Sequence, residues 1–287
     1  MVDEKSVETQ SHEIQKIAHE IITEGMPLNE QFQIAVIIDK LPPVIIGTYF
    51  LVFAGCGVVA VDKIYGSVTF PGICITWGLV VTVMCYSVGH ISGGLFNPAV
   101  TITWAIFRRI RIIEAPLYIA AELLGSTLAS LTLSLMFDIT PKSFFGTVPV
   151  GSSGQSLAME FIISFLLMFV ISAVTTDDRA VDDSASIAVG MTITLNLFIA
   201  GPVSGASMNP ARSIGPAIVI HIYKGLWIYV VGPIIGAVAG ALAYNFLRSV
   251  YKPRAEIAAE TTSTGLTKDN PNSELIPEEP LRSISIS

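Results

Sequence analysis

The chain has 287 residues, of which 52% are apolar and only 14% charged, against about a quarter charged in an average soluble domain. Residues 1–40 carry eight acids against three bases and residues 251–287 six against four, whereas the 210 residues between them hold nine of each. A neutral, apolar body between two acidic tails is a membrane protein's profile; it excludes a basic nucleic-acid footprint and fits an ordinary soluble enzyme poorly.

The leader, residues 1–41, is polar, and the first apolar run begins only near residue 42, so no signal peptide is expected. A hydrocarbon core about 30 Å thick needs about 20 apolar residues in a helix. Six stretches meet that length approximately: 42–61, 73–91, 116–137, 157–176, 185–201 and 226–249. The fifth is short, and its start is the least defined boundary. Two further apolar segments, 97–107 and 209–220, are too short to span. Residues 251–287 close the chain as a polar tail, and Thr261 to Pro280 has the composition of a disordered segment. The three cysteines, Cys56, Cys74 and Cys85, lie in apolar runs without a CxxC pair, so neither a disulfide framework nor a metal site is expected, and no cofactor is implied.

Basic residues orient the spans. With the N-terminus in the cytoplasm, inner loops and flanks hold Lys40, Arg108, Arg109, Arg111, Arg179, Arg248, Lys252 and Arg254; outer loops hold Lys63, Lys142 and Lys224. Both termini are therefore expected on the cytoplasmic side.

The short segments carry an internal repeat. Ser92-Gly93-Gly94-Leu95-Phe96-Asn97-Pro98-Ala99 aligns without gaps on Ser204-Gly205-Ala206-Ser207-Met208-Asn209-Pro210-Ala211. Three spans in each half give the second copy the opposite polarity, the inverted-repeat arrangement in which broken helices meet at the midplane. The expected fold is all-α: six transmembrane helices plus two re-entrant half-helices. Residues 42–250 form the body, with repeats of about 42–139 and 157–250.

Asn is a preferred N-cap and Pro suits the first helical position, so each Asn-Pro-Ala reads as a helix start. A helix starting inside a bilayer is tolerated only where protein or a water-filled cavity surrounds it. Two such starts would bring Asn97 and Asn209 together, each side-chain carbonyl capping its helix and each NH₂ left free to donate. The positive helix ends repel cations and protons there, while neutral hydroxylated molecules are solvated. One isolated Asn-Pro-Ala would be a mere cap; two matched copies are the binding-site pointer of inverted-repeat transporters.

With these motifs the sequence resembles the major intrinsic proteins, the aquaporins and aquaglyceroporins, and within them the first subgroup of plant nodulin-26-like proteins. The likeness covers residues 42–250 and includes Gly47-Thr-Tyr-Phe-Leu-Val-Phe-Ala-Gly-Cys56-Gly. It implies one pore per subunit and a homotetramer. It also implies that Arg212 is the arginine of an outer constriction, completed by Trp77, Leu197 and Ala206. Water-selective relatives pair a bulky aromatic with histidine; this set pairs one polar and one greasy wall, which suits glycerol. Leu197 replaces the subgroup's usual Val and adds a methylene.

The resemblance therefore implies a passive channel for water and small uncharged solutes such as glycerol, then ammonia, with neutral metalloid acids ranked lower. Protons and ions are excluded. Trp77 as a belt residue and Arg212 in a structural ion pair are the plainer alternatives. Serines of the C-terminal tail, Ser283 or Ser285, are phosphorylation candidates for a kinase by the same likeness, and the plasma membrane is the expected location.

Several residues depart from the family pattern or sit beside it. Glu160 is expected at the start of the fourth span, bracing a loop, while Val44 stands where the first span would carry the equivalent Glu, a change expected to loosen the first loop. Glu122 replaces a more usual Gln. Gly232, Gly236 and Gly240 read as a helix-packing stripe, and His90 as a structural histidine near the cytoplasmic mouth. A secondary transporter is the alternative, but coupling needs acids near the midplane, and Glu122 and Glu160 are expected near helix ends. Nothing in the sequence reads as an enzyme's nucleophile or phosphate loop.

Overall fold

In a computed structural model the backbone of residues 30–176 and 184–250 is described, with side chains from residue 39. The assignments made for Arg179, Lys252, Arg254, Ser283 and Ser285 lie outside the described residues. Eight helices follow one another among the described residues: α1 (Glu30–Tyr65), α2 (Thr69–Ser92), α3 (Pro98–Ile106), α4 (Ala115–Met136), α5 (Ser153–Thr176), α6 (Ala185–Ser204), α7 (Pro210–Ile220) and α8 (Ile228–Val250). Six of them, all but α3 and α7, are long and apolar enough to cross a membrane. The chain's compact body runs to Asn245; from Phe246 the described residues only continue the last turn of α8.

The α1, α2 and α5 spans begin earlier than hydropathy suggests, whereas α6 begins at Ala185 as expected and α8 two residues later, at Ile228. The α1 helix runs through Pro42 and Pro43, where a start was expected. Each proline removes one ladder bond, yet the helix continues upstream to Glu30. The start of α2 at Thr69 rather than 73 follows from Asp62 at the end of α1. Its Oδ1 accepts the N–H groups of Val68 (3.2 Å) and Thr69 (2.7 Å). Likewise α5 begins at Ser153, because Ser152 Oγ accepts the N–H of Gln155 at 3.1 Å in N-cap geometry. At the other end, α6 continues past 201 through Pro202 and stops at Gly205 in the left-handed region.

Small residues set how closely the spans pack. A Cβ on Gly78 of α2 would lie 2.5 Å from the carbonyl oxygen of Gly190 on α6, and a Cβ on Gly190 would lie 2.5 Å from that of Gly78. Thr82 and Thr194 stand beside this crossing, each returning its hydroxyl to its own helix at Gly78 O (3.0 Å) and Gly190 O (3.2 Å). Both pairs share the sequence offset of Asn97 and Asn209, so the repeat extends well beyond the Asn-Pro-Ala motif. Elsewhere Gly236 and Gly240 of α8 face the carbonyls of Phe161 and Phe165 on α5, the packing role expected for that stripe. Leu79, Leu135 and Ile235 point outward and are more than half exposed, as a hydrocarbon-facing surface requires.

Candidate functional site: two opposed helix starts and the cavity between them

Each half-helix is built by the same local chemistry. A serine ends the preceding span and its Oγ accepts a loop N–H: Ser92 from Gly94, Ser204 from Ala206, both at 3.2 Å. The chain then turns through left-handed backbone at Gly93 and Gly94 (φ 76° and 69°) and at Gly205 and Ala206 (φ 83° and 46°). Glycine enters that region freely, whereas alanine pays about 1–2 kcal/mol. Asn97 Oδ1 then caps α3 by accepting the N–H of Ala99 (3.0 Å). Asn209 Oδ1 caps α7 through Ala211 (3.0 Å) and Arg212 (3.4 Å). Pro98 and Pro210 occupy the first helical positions, as the motif predicts.

The two starts are cross-stitched. Asn97 Nδ2 donates to the carbonyl of Met208, and Asn209 Nδ2 to that of Phe96, each at 2.8 Å. This corrects the expectation of a wholly free NH₂ on each asparagine. One hydrogen holds the opposite loop, and only the second remains for a passing molecule.

Beside the asparagines runs a cavity of about 310 Å³. Its lining takes in His90, Thr175 and Ser186, the two asparagines Asn97 and Asn209, and Trp77, Leu197 and Ala206. On α2 alone, thirteen residues separate Trp77 from His90, roughly 20 Å of helix. Cys85 also lines this stretch.

Three of the four residues assigned to the constriction therefore line one cavity. Arg212 does not border this cavity; its guanidinium carbon lies 4.9 Å from the centroid of the Trp77 ring, within cation–π range. Arg212 is 4% exposed, and its Nε and Nη1 have no hydrogen-bond partner among the described residues. Trp77 is also buried, so it is no belt residue facing lipid. Unpartnered guanidinium nitrogens at that burial are costly, and the indole face beneath the guanidinium offsets part of that cost.

Two carboxylates brace the loops from behind. Glu160, fully buried on α5, accepts at Oε1 from Ser204 Oγ (2.7 Å) and Ser207 N (2.9 Å), and at Oε2 from Met208 N (2.9 Å). Glu122, fully buried on α4, accepts at Oε1 from Asn97 N (3.0 Å) and Thr101 Oγ1 (2.6 Å). Two expectations need correction here. Both acids lie well inside their helices rather than near the ends. The first loop is not left without a brace either: Val44 packs in an apolar cluster with Leu95 and Ala99, and Glu122 supplies the acceptor from another helix.

Sequence reasoning passed over several residues that complete the site. Thr147 Oγ1 and Ser213 Oγ lie 2.6 Å apart, Ser213 Oγ and Ser207 Oγ also 2.6 Å, and Ser207 Oγ donates to Asn209 O at 2.9 Å. This hydroxyl chain ties the loop between α4 and α5 to α7. The same loop is held by Lys63 Nζ donating to Phe144 O at 2.6 Å. Asn196 Nδ2 donates to Ile163 O at 2.9 Å and reaches Met208 Sδ at 3.2 Å, fixing a residue whose φ is 54°. An amide inside an apolar span signals an interhelical partner, and that signal was available for Asn196.

Residues 39–244 match the family model described as Major intrinsic protein. The chain is 69% identical over 230 residues to a Nicotiana alata protein described as "Probable aquaporin NIP-type", covering 80% of this chain and 85% of that one. It is 55% identical over 220 residues to "Nodulin-26" of Glycine max, with shares of 76% and 81%. Among solved structures, that of the aquaglyceroporin from Plasmodium falciparum superposes with a TM-score of 0.66 at 22% identity, over 77% of this chain and 99% of that one. At that identity the likeness concerns the fold.

Proposed function

Since this chain belongs to the major intrinsic protein family and is a passive channel for water and small solutes, we propose that it conducts glycerol alongside water through the cavity that passes Asn97 and Asn209. The observation that carries this reading is the meeting of two half-helix starts at one cavity. Each brings a positive helix end and one uncommitted amide hydrogen to the path. A cation or proton is repelled there, while water and alcohol oxygens are accepted.

Solute choice follows from the part of the cavity bordered by Trp77, Leu197 and Ala206. Indole and leucine offer a greasy wall for a carbon backbone, and the uncommitted amide hydrogens of Asn97 and Asn209 on the same cavity meet the hydroxyls, with Arg212 over the Trp77 ring. Ammonia and neutral metalloid acids rank below glycerol on the same reasoning. The alternative of an ion-coupled transporter is disfavoured because Glu122 and Glu160 are both fully buried, engaged with loop groups and off the cavity wall. The descriptions of the relatives named above, aquaporins and a nodulin, favour a channel over an enzyme.

The same reading extends to a homotetramer in a membrane with both termini in the cytoplasm, most naturally the plasma membrane, and to a kinase acting on Ser283 or Ser285. The test is stopped-flow light scattering on proteoliposomes, with water and glycerol run side by side. Glycerol flux well above empty vesicles, changed by Trp77→Ala and by Arg212→Ala, supports the reading. Water flux alone means that Leu197 closes the opening to solutes and overturns glycerol as a substrate. No flux of either from folded protein overturns the open pore.

A further inference from the structure

Trp77 leans on a helix that contributes no residue to the assigned constriction. A Cβ built on Gly55 of α1 would lie 2.5 Å from Cδ2, Cε2 and Cε3 of the Trp77 indole. Equal distances to three fused-ring atoms mean that Gly55 backs the face of the ring, with only its Cα hydrogens between backbone and indole. Ordinary carbon contacts are about 3.5–4.0 Å, so any side chain here displaces the ring by roughly 1 Å. Gly55 of α1 stands against the indole, and Trp77 itself borders the cavity, so a displacement away from α1 alters the opening that Trp77 borders.

From this contact we propose that Gly55 is a specificity-determining residue of the channel: a socket that sets how far the Trp77 indole projects into the path, and hence the largest solute admitted. The proposal rests on Trp77 being a constriction member. Gly55 itself touches no solute and acts through Trp77, so it is a positioning residue. Its neighbours agree with such a role. Leu51, one turn earlier on the same face of α1, lines the cavity directly, and the Arg212 guanidinium over the ring restricts where a displaced indole can go.

The experiment is a double-mutant cycle in proteoliposomes, reading the glycerol-to-water permeability ratio for wild type, Gly55→Ala, Trp77→Ala and the pair. Gly55→Ala is expected to lower the ratio about tenfold, the scale of one methylene in a selective pocket, with water flux falling much less. In the Trp77→Ala background, where no ring remains to be pushed, Gly55→Ala is expected to leave the ratio unchanged. A merely structural glycine would lower both fluxes together in both backgrounds, and that result overturns the proposal. If Trp77→Ala itself leaves the ratio unaltered, the constriction assignment fails and the socket with it. If Trp77→Ala changes the ratio but Gly55→Ala does not, only the socket fails. Should Gly55→Ala alone not fold, the pair decides: recovery of a folded channel matching Trp77→Ala supports the socket, and a pair that also fails to fold overturns it.

Discussion

Glu122 Oε1 lies 3.0 Å from the backbone nitrogen of Asn97, the residue that starts the first half-helix. The matching nitrogen-bracing carboxylate of the second loop is Glu160, on α5. Two loops that match at five of eight aligned positions are thus held by acids from different places in the repeat. In the first half the acid comes from α4, and Val44 fills the α1 position with hydrocarbon. The two braces are also not used alike. Glu122 employs one oxygen for its two bonds and leaves Oε2 without a partner among the described residues, whereas Glu160 accepts at both.

Glu122→Gln is therefore expected to be tolerated, because an amide oxygen replaces Oε1 and the NH₂ takes the unpartnered place. Water permeability should stay within about twofold of wild type, the effect of less than 0.5 kcal/mol. Glu122→Leu leaves the Asn97 N–H buried and unpaired, a cost of about 1–3 kcal/mol. Thermal unfolding in detergent should register that loss, and water and glycerol flux should fall together.

Glu160→Gln is expected to behave differently. Whichever way the amide is turned, its NH₂ faces a donor, either the Met208 N–H or the Ser204 and Ser207 pair. The clash of donors and the lost acceptor should cost about 2–4 kcal/mol. A melting temperature equal to that of Glu122→Gln would contradict the assigned bonding.

Gly78→Ala and Gly190→Ala probe the crossing of α2 and α6. Each new methyl meets the partner's carbonyl at 2.5 Å and its threonine hydroxyl, so each variant should lose about 1–3 kcal/mol through overpacking. Because one separation of the two helices relieves both clashes, the double variant should lose less than the sum. Additive losses in a thermal-shift comparison would mean that the two sites do not share one contact.

Ala206→Gly relieves left-handed strain at φ 46° and removes a methyl from the cavity wall. Stability should rise by about 1 kcal/mol, and glycerol flux should rise relative to water. A fall in melting temperature would show that the methyl's packing outweighs the backbone strain.

How much of this was legible beforehand varies residue by residue. The six spans were readable because hydrocarbon thickness dictates a length that apolar runs must meet. Asn97 and Asn209 were readable as helix starts because capping is a local affair of a few residues. Their shared cavity followed from the repeat, and so did the matched serines 92 and 204. The span boundaries were not, since Asp62 caps α2 across a loop. Nor was the second use of each asparagine, whose Nδ2 binds a carbonyl more than a hundred residues away.

What the sequence determined by itself is the class of molecule: a membrane-spanning, internally repeated helical chain with two helix starts at depth. Those properties rest on period, length and local hydrogen bonding, which act over a few residues and leave their pattern in the chain. What only the tertiary structure decided is which side chain completes each loop and where each wall of the opening stands. Glu122 replacing a brace absent at Val44, Arg212 lying over Trp77 and Gly55 backing that indole are contacts between helices far apart in sequence. Close packing fixes them to within about an ångström, and no local pattern carries information at that scale.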